Sequence, residues 1–302
     1  MQGKNIVIAV LVLVLLGAVG FLFINSNNSS EEPDIETTPT EQPDEPMPVE
    51  PDGGIGDGAE PLPEPDNTST DVRGSESDLG ESVNGTTITA YHFGAGGTEV
   101  LLVGGVHGGY SPNTAKLAND LVSYYESNES ELPDNIMLTI IPNLNPDGAR
   151  ESGAEGRFNA NTVDLNRNFD CEWSESGTWQ NREVSGGSAP FSEPEAQALR
   201  DYVLEYEPAA AVVWFSAEGK VYPSACAGTP SQESVELAAT FATAAGYPAE
   251  AEFDAYAITG DMVNWMAKEG IPAISVLLSD YTDTEESKNL AGLKAILDKY
   301  AE

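Results

Sequence analysis

Histidine and cysteine are each present only twice in 302 residues, and 13 Lys and Arg face 50 Asp and Glu, for a formal net charge of -37. Each scarcity excludes something. Two cysteines, Cys171 and Cys226, are too few and too far apart for a cysteine-based metal centre, although outside the cell they can pair. With the 13 acidic residues of 31–66 and Lys4 set aside, residues 67–302 still carry -25. Nucleic acid and anionic lipid both need positive charge, so neither is an expected partner. A well-solvated surface is the plain reason for such acidity, with salt adaptation a second one.

No Lys or Arg lies between Lys4 and Arg73, and no aromatic residue lies between 24 and 79. Within this span, residues 5–23 (NIVIAVLVLVLLGAVGFLF) form an apolar run, and about 20 such residues cross a bilayer core as a helix. Lys4 before the run and no cation after it place residues 1–4 in the cytoplasm and the rest outside. A cleaved signal peptide is the competing reading, but INSNNSS, which follows, lacks a clear small-x-small cleavage site. No cysteine stands near enough for a lipoprotein anchor. Residues 24–81 hold nine prolines between 31 and 66 and too little apolar surface to offset the entropy of ordering, so they are expected to form an extended, self-repelling linker. The expected organisation is a membrane anchor over 5–23, a linker over 24–81 and an extracellular domain over 82–302, on a single-pass protein of the cell membrane.

From about Ser82 the pattern changes. Strands are expected at Thr87–Phe93, Val100–Val106, Ile136–Pro142, Ala211–Phe215 and Ile274–Leu278, and helices at Asn113–Tyr125, Gln232–Ala245 and Glu286–Tyr300. A further helix begins near Phe191, where Ser192 and Glu195 have capping-box spacing and Pro194 sits in the first turn. Apolar strands alternating with helices predict an α/β domain whose sheet is covered on both faces.

Four polar stretches lie at strand ends or in the loops beyond, where α/β proteins build sites. They are Leu102–Tyr110 (LVGGVHGGY), Asn143–Gly148 (NLNPDG), Arg157–Phe169 (RFNANTVDLNRNF) and Tyr256–Trp265 (YAITGDMVNW). GGVHGG followed by NT, then NPDG, then VDLNRNF, in this order and spacing, resembles the carboxypeptidase A-like zinc peptidases. SGGSAPFSEPEAQALRDYV and the late Asn289-Leu-Ala-Gly-Leu fit as well, so the resemblance covers about residues 84–300. It implies a three-layer α/β/α sandwich around a mixed, roughly eight-stranded sheet. It also implies zinc held by two His and one Glu, and a catalytic Glu acting as general base.

Residue by residue, the implied machinery is incomplete. His107 matches the first zinc ligand, but Tyr110 or Ser111 stands where the Glu ligand belongs and Phe215 where the second His belongs. Leu277 stands at the catalytic Glu. The other histidine, His92, lies in the first expected strand, and Glu218 is a weak substitute ligand or base. Asp147, in NPDG, reads as a turn residue. The substrate-binding positions are kept: Arg157 matches the oxyanion-stabilising Arg, Asn166 and Arg167 the pair that grips a terminal carboxylate, and Tyr256 the Tyr that closes over substrate. The alternative is that Arg157 and Arg167 pair with domain carboxylates such as Asp164. Cys171 follows VDLNRNF and Cys226 follows the strand of Phe215, so the resemblance brings both to one rim of the site, where they are expected to form a disulfide.

The expectation is therefore a surface-tethered pseudoenzyme without cofactor that binds the C-terminal carboxylate of a peptide or a cell-wall stem peptide. The alternative is an active zinc carboxypeptidase with non-standard ligands, and a purely structural domain is a third option.

Overall fold

A computed structural model describes residues 73–301, so the expected anchor and most of the expected linker lie outside the described residues. Nine strands are described: β1 (Glu76–Glu81), β2 (Thr87–Gly94), β3 (Thr98–Val103), β4 (Ile136–Ile141), β5 (Ser176–Trp179), β6 (Arg182–Ser185), β7 (Ala210–Ser216), β8 (Lys220–Pro223) and β9 (Ala273–Leu278). The helices are α1 (Pro112–Asn128), α2 (Pro194–Tyr206), α3 (Gln232–Ala245), α4 (Met262–Lys268) and α5 (Glu286–Ala301). Seven strands form one mixed sheet in the order β1-β2-β4-β3-β7-β9-β8, and β5 and β6 form a separate hairpin. The roughly eight-stranded expectation thus becomes seven in the main sheet.

The four middle strands, β4, β3, β7 and β9, are parallel, and the outer pairings are antiparallel. Side chains alternate across a strand. In β3, Val100 and Leu102 therefore enter the core beneath α1, α3 and α5, while Leu101 and Val103 enter the opposite core beneath α2 and α4. Two buried cores on one sheet make the three-layer α/β/α sandwich expected from the sequence.

The ordered domain begins earlier than residue 82. β1 pairs with β2 from Glu76, placing 76–81 in the sheet rather than in the linker. Its sequence, ESDLGE, is that of a polar edge strand, so hydrophobic patterning does not reveal it. β3 ends at Val103 instead of running to Val106, because Gly104 begins a turn in which Gly105 has φ 66°. The expected capping box of α2 does not form. Glu193 is the N-cap, Ser192 donates to the Glu193 carboxylate at 2.8 Å, and the fully buried Glu195 accepts from the Val83 amide and the Asn159 side chain. Glu195 thereby clamps the β1–β2 turn to α2.

The sequence motifs are largely the packing of the strand ends. Gly109 passes so close to the segment after NPDG that a Cβ on it would lie 1.8 Å from the Glu151 carbonyl oxygen. Thr114 accepts from the Gly105 amide at 3.2 Å, and Asn113 donates to the carbonyls of Asp280 and Asp283 at 2.8 and 3.0 Å. Asn145 accepts from the Gly148 amide at 2.9 Å. Asp147 accepts from the Asn84 amide at 3.0 Å, in keeping with a turn residue.

Gly109→Ala is expected to destabilise the domain by about 3 kcal/mol, because its methyl group meets backbone rather than a movable side chain. Urea unfolding of the full-length chain measures this, and a change under about 0.5 kcal/mol, the range of a neutral surface substitution, would contradict it.

Candidate functional site

The C-terminal ends of the parallel strands open into a cavity of about 340 Å³. The strands contribute Phe215, Ser216, Ser275 and Leu277 to its walls, and the loops contribute His107, Tyr110, Arg157, Asn166, Arg167, Glu218 and Tyr256. Of the ligand, catalytic and substrate positions expected from sequence, Ser111 alone is not among the residues that line the cavity. It is buried at the start of α1, with its hydroxyl unbonded. Phe215 and Leu277 are direct neighbours across β7 and β9, so the two residues that the resemblance sets at the second His and at the catalytic Glu form one apolar strip. His92 lies in β2, bonded to Thr139 and Ser77, and is not part of the cavity.

Arg157 and Asp164 form the electrostatic centre, with side chains 4% and 0% exposed. Arg157 Nε and Nη2 both lie 2.8 Å from Asp164 Oδ2, and Arg157 Nη1 donates to His107 Nδ1 at 3.1 Å. A guanidinium has no acceptor, so His107 Nδ1 uses its lone pair here and the ring proton resides on Nε2. Nε2 lies 3.4 Å from Asp164 Oδ1 without making a hydrogen bond. Burial first, and the Arg157 charge second, hold the His107 pKa down at about 4. Burial opposes ionisation of Asp164, but Arg157 overrides it and keeps this carboxyl well below the usual carboxylate range.

Zinc needs three protein ligands and an open position. His107 has no lone pair left in this arrangement, and Asp164 is committed to Arg157. The Phe215 ring lies 5.3 Å from the imidazole, and Tyr110 hydrogen-bonds Tyr281 at 2.7 Å. Among the described residues, no group of three His, Cys, Asp or Glu is arranged to hold an ion. The residues present do not fit the family's zinc. Glu218, considered as a substitute, accepts from the Tyr222 hydroxyl at 2.6 Å.

Asn166 and Arg167, expected from the resemblance to grip a carboxylate, are divided in their duties. Asn166 donates to Asp261 at 2.7 Å and accepts from the Met262 amide at 3.1 Å, so its side chain is occupied in capping α4. Burial raises the Asp261 pKa, against the pull of the Asn264 amide and of Arg167. Arg167 is only 1% exposed and donates to two carbonyls, from Nη1 to Asn166 at 2.6 Å and from Nη2 to Thr178 at 2.8 Å. It has no carboxylate within ion-pairing distance among the described residues. Its guanidinium lies 5.9 Å from the Tyr256 ring centre. The sequence alternative thus holds for Arg157, which pairs with Asp164, and not for Arg167.

Several cavity residues were not foreseen. Trp179 and Gln180 come from the β5–β6 hairpin, and Tyr222, Phe253 and Tyr281 line the rim. Trp179 covers Arg157, with the guanidinium 4.7 Å from its ring centre. The sequence signal for the hairpin was weak: a two-residue turn, Gln180-Asn181, between four-residue strands. Cys171 and Cys226 form the expected disulfide, which ties the loop after Phe169 to the loop after β8 beside the cavity.

Two outcomes follow. His107 binds its proton less readily in the folded state than unfolded, so its share of stability is intact above about pH 6.5 and is lost as pH falls towards 4. The loss should be about 2–3 kcal/mol, and His107→Gln should flatten this part of the stability profile measured by urea unfolding. A profile unchanged by the substitution would contradict the assignment. The disulfide closes a sequence separation of 55 residues, so the double Cys171→Ser, Cys226→Ser chain should be less stable by about 4 kcal/mol in the same measurement.

A family model described as zinc carboxypeptidase (Peptidase_M14) matches residues 71–288. Carboxypeptidase B of Astacus astacus is 28% identical over 152 residues, covering 44% of this chain and 50% of the relative. Zinc carboxypeptidase A 1 of Anopheles gambiae is 31% identical over 126 residues, covering 37% of this chain and 29% of the relative. The matched regions thus span half or less of these relatives. Among solved structures, thrombin activatable fibrinolysis inhibitor superposes with TM-score 0.64 at 19% identity, covering 75% of this chain and 69% of that one. The murein-tripeptide amidase MpaA of Escherichia coli O157 superposes with TM-score 0.57 at 20% identity, covering 76% and 93%. At these identities the structural likeness establishes the fold, while the family match spans most of the chain: this protein belongs to the zinc carboxypeptidase family.

Proposed function

We propose that this chain is a non-hydrolysing member of its family, held at the outer face of the cell membrane, that binds the C-terminal carboxylate of a peptide or of a cell-wall stem peptide. One observation carries the reading. Arg167 is a buried guanidinium on the cavity wall without a carboxylate partner, in a chain where acidic groups outnumber basic ones by 50 to 13. A buried charge left unpaired is unfavourable, and a ligand carboxylate is the natural counter-ion for a planar guanidinium fork. Tyr256, beside Arg167, closes the ligand in. Arg157 contributes less to ligand binding than the family resemblance implies, because Asp164 neutralises it.

The non-hydrolytic part of the reading rests on the donor set. A zinc-activated water needs ligands, and Tyr110, Phe215 and the Arg157-bonded His107 do not provide them, while Leu277 offers no general base. The tether rests on the apolar run 5–23 and the acidic, proline-rich segment after it.

Calorimetry with a C-terminally free peptide should show binding by the full-length chain. Affinity should fall at least about tenfold in Arg167→Ala, the loss of a charge-assisted hydrogen bond, and should vanish for the C-terminally amidated peptide. Equal affinity for wild type and Arg167→Ala would remove the basis of the reading. Incubation with zinc should release no amino acid from the peptide; release that a chelator abolishes would establish a peptidase instead.

A further inference from the structure

Positive charge is scarce in this chain, and its pairing is informative. Among the described residues, Lys116, Lys220, Lys268, Lys288, Lys294 and Lys299 each have an ion-pair partner, as do Arg73, Arg150, Arg157 and Arg200. Among the described residues, Arg167 and Arg182 are the two cations for which no carboxylate lies within ion-pairing distance. With so many acidic groups available, a cation left over at random would be expected to find one.

Both exceptions meet the same hairpin. Arg167 donates to the Thr178 carbonyl and packs under Gly177 in β5. Arg182 is directly opposite Trp179 across the β5–β6 pair, and its guanidinium lies 5.7 Å from the Trp179 ring centre. Trp179 is thus shared between Arg157, 4.7 Å away and neutralised by Asp164, and Arg182, which is exposed and has no ion pair among the described residues. Trp179 and the adjacent Gln180 are wall residues of the cavity. A stacked guanidinium is held in place by the ring yet retains outward N–H donors.

We infer that Arg182, set on Trp179, forms an outer anion subsite of the cavity, so that the ligand carries a second negative group upstream of its terminal carboxylate. The preferred ligand class is an acidic peptide or another ligand with two carboxylates. Arg167 takes the terminal group and Arg182 the second. This rests on the carboxylate-binding reading of the cavity and adds to it a preference that the deep pocket alone does not supply. Arg182 is a specificity residue here; no chemistry is assigned to it.

The test uses acetylated alanine tetrapeptides with a free C-terminus, each carrying one Glu or one Gln at an upstream position. Binding to the full-length chain is measured by calorimetry at about 0.1 M salt. At one upstream position the Glu peptide should bind about two- to fivefold more tightly than its Gln twin, as for an exposed ion pair. The preference should disappear in Arg182→Gln, persist in part in Arg182→Lys, and fade at about 1 M salt. The Gln peptides should bind Arg182→Gln as they bind wild type, which shows that the variant is folded and that the deep pocket is intact. Equal affinity of Glu and Gln peptides at every position, or a Glu preference that survives Arg182→Gln, overturns this inference while leaving the Arg167 reading standing. Failure of both peptide sets to bind wild type overturns the two together.

Discussion

The buried pair Arg157–Asp164 is the interaction on which the site depends. Neither charge is tenable alone in a core. Together, with the His107 ring and the Asn166 amide as further partners, they leave few unsatisfied atoms. The pair has three consequences. It engages the Nδ1 lone pair of His107, whose pKa is held down by burial first and by the Arg157 charge second. It withdraws Arg157 from ligand binding. It also pins the short turn Leu165–Arg167, because Asp164 accepts from the Asn166 amide at 3.1 Å, and that turn aims Arg167 at the hairpin and the cavity. A buried pair of this kind contributes less to net stability than its Coulomb energy implies, but removing either partner strands the other. Its role here is to set the protonation and orientation of its neighbours.

The cavity is therefore polar in an uneven way. Its floor at β7 and β9 is apolar, formed by Phe215 and Leu277. Its walls also hold the Arg167 guanidinium and, from the hairpin, Trp179 and Gln180. Glu218, which the Tyr222 hydroxyl ties down, also lines the cavity. Low dielectric around Arg167 strengthens its attraction for an anion that reaches it. The absence of a neutralising carboxylate leaves that attraction available to a ligand.

Much of the fold could be read from the order of residues, because its signals are local. The apolar strands β3, β4, β7 and β9 and the helices α1, α3 and α5 are visible as periodicity, and Pro194 marks the first turn of α2. Non-local signals were harder. β1 is a polar edge strand recognisable only through its partner. Ser192 and Glu195 have capping-box spacing, but Glu195 is drawn instead to the β1–β2 turn, more than a hundred residues away in sequence. The β5–β6 hairpin carries Trp179 and Arg182 on strands too short for patterning to register. For the site, the motifs located His107, Arg157, Asn166, Arg167 and Tyr256 around one cavity, and they identified the substitutions at Tyr110, Phe215 and Leu277.

The amino-acid sequence by itself determined the family and the α/β layering, since these depend on identity and spacing along the chain. Which of the retained polar residues remain available to a ligand was decided only by the tertiary structure. Read in order, Arg157, Asn166 and Arg167 all match substrate-binding positions, the first for an oxyanion and the other two for a terminal carboxylate. Folding brings Asp164 to the first and Asp261 to the second, and leaves the third bonded to two carbonyls on the cavity wall. Such partners are set by three-dimensional proximity, and hydrogen bonding and ion pairing act over a few ångströms of space rather than along the sequence.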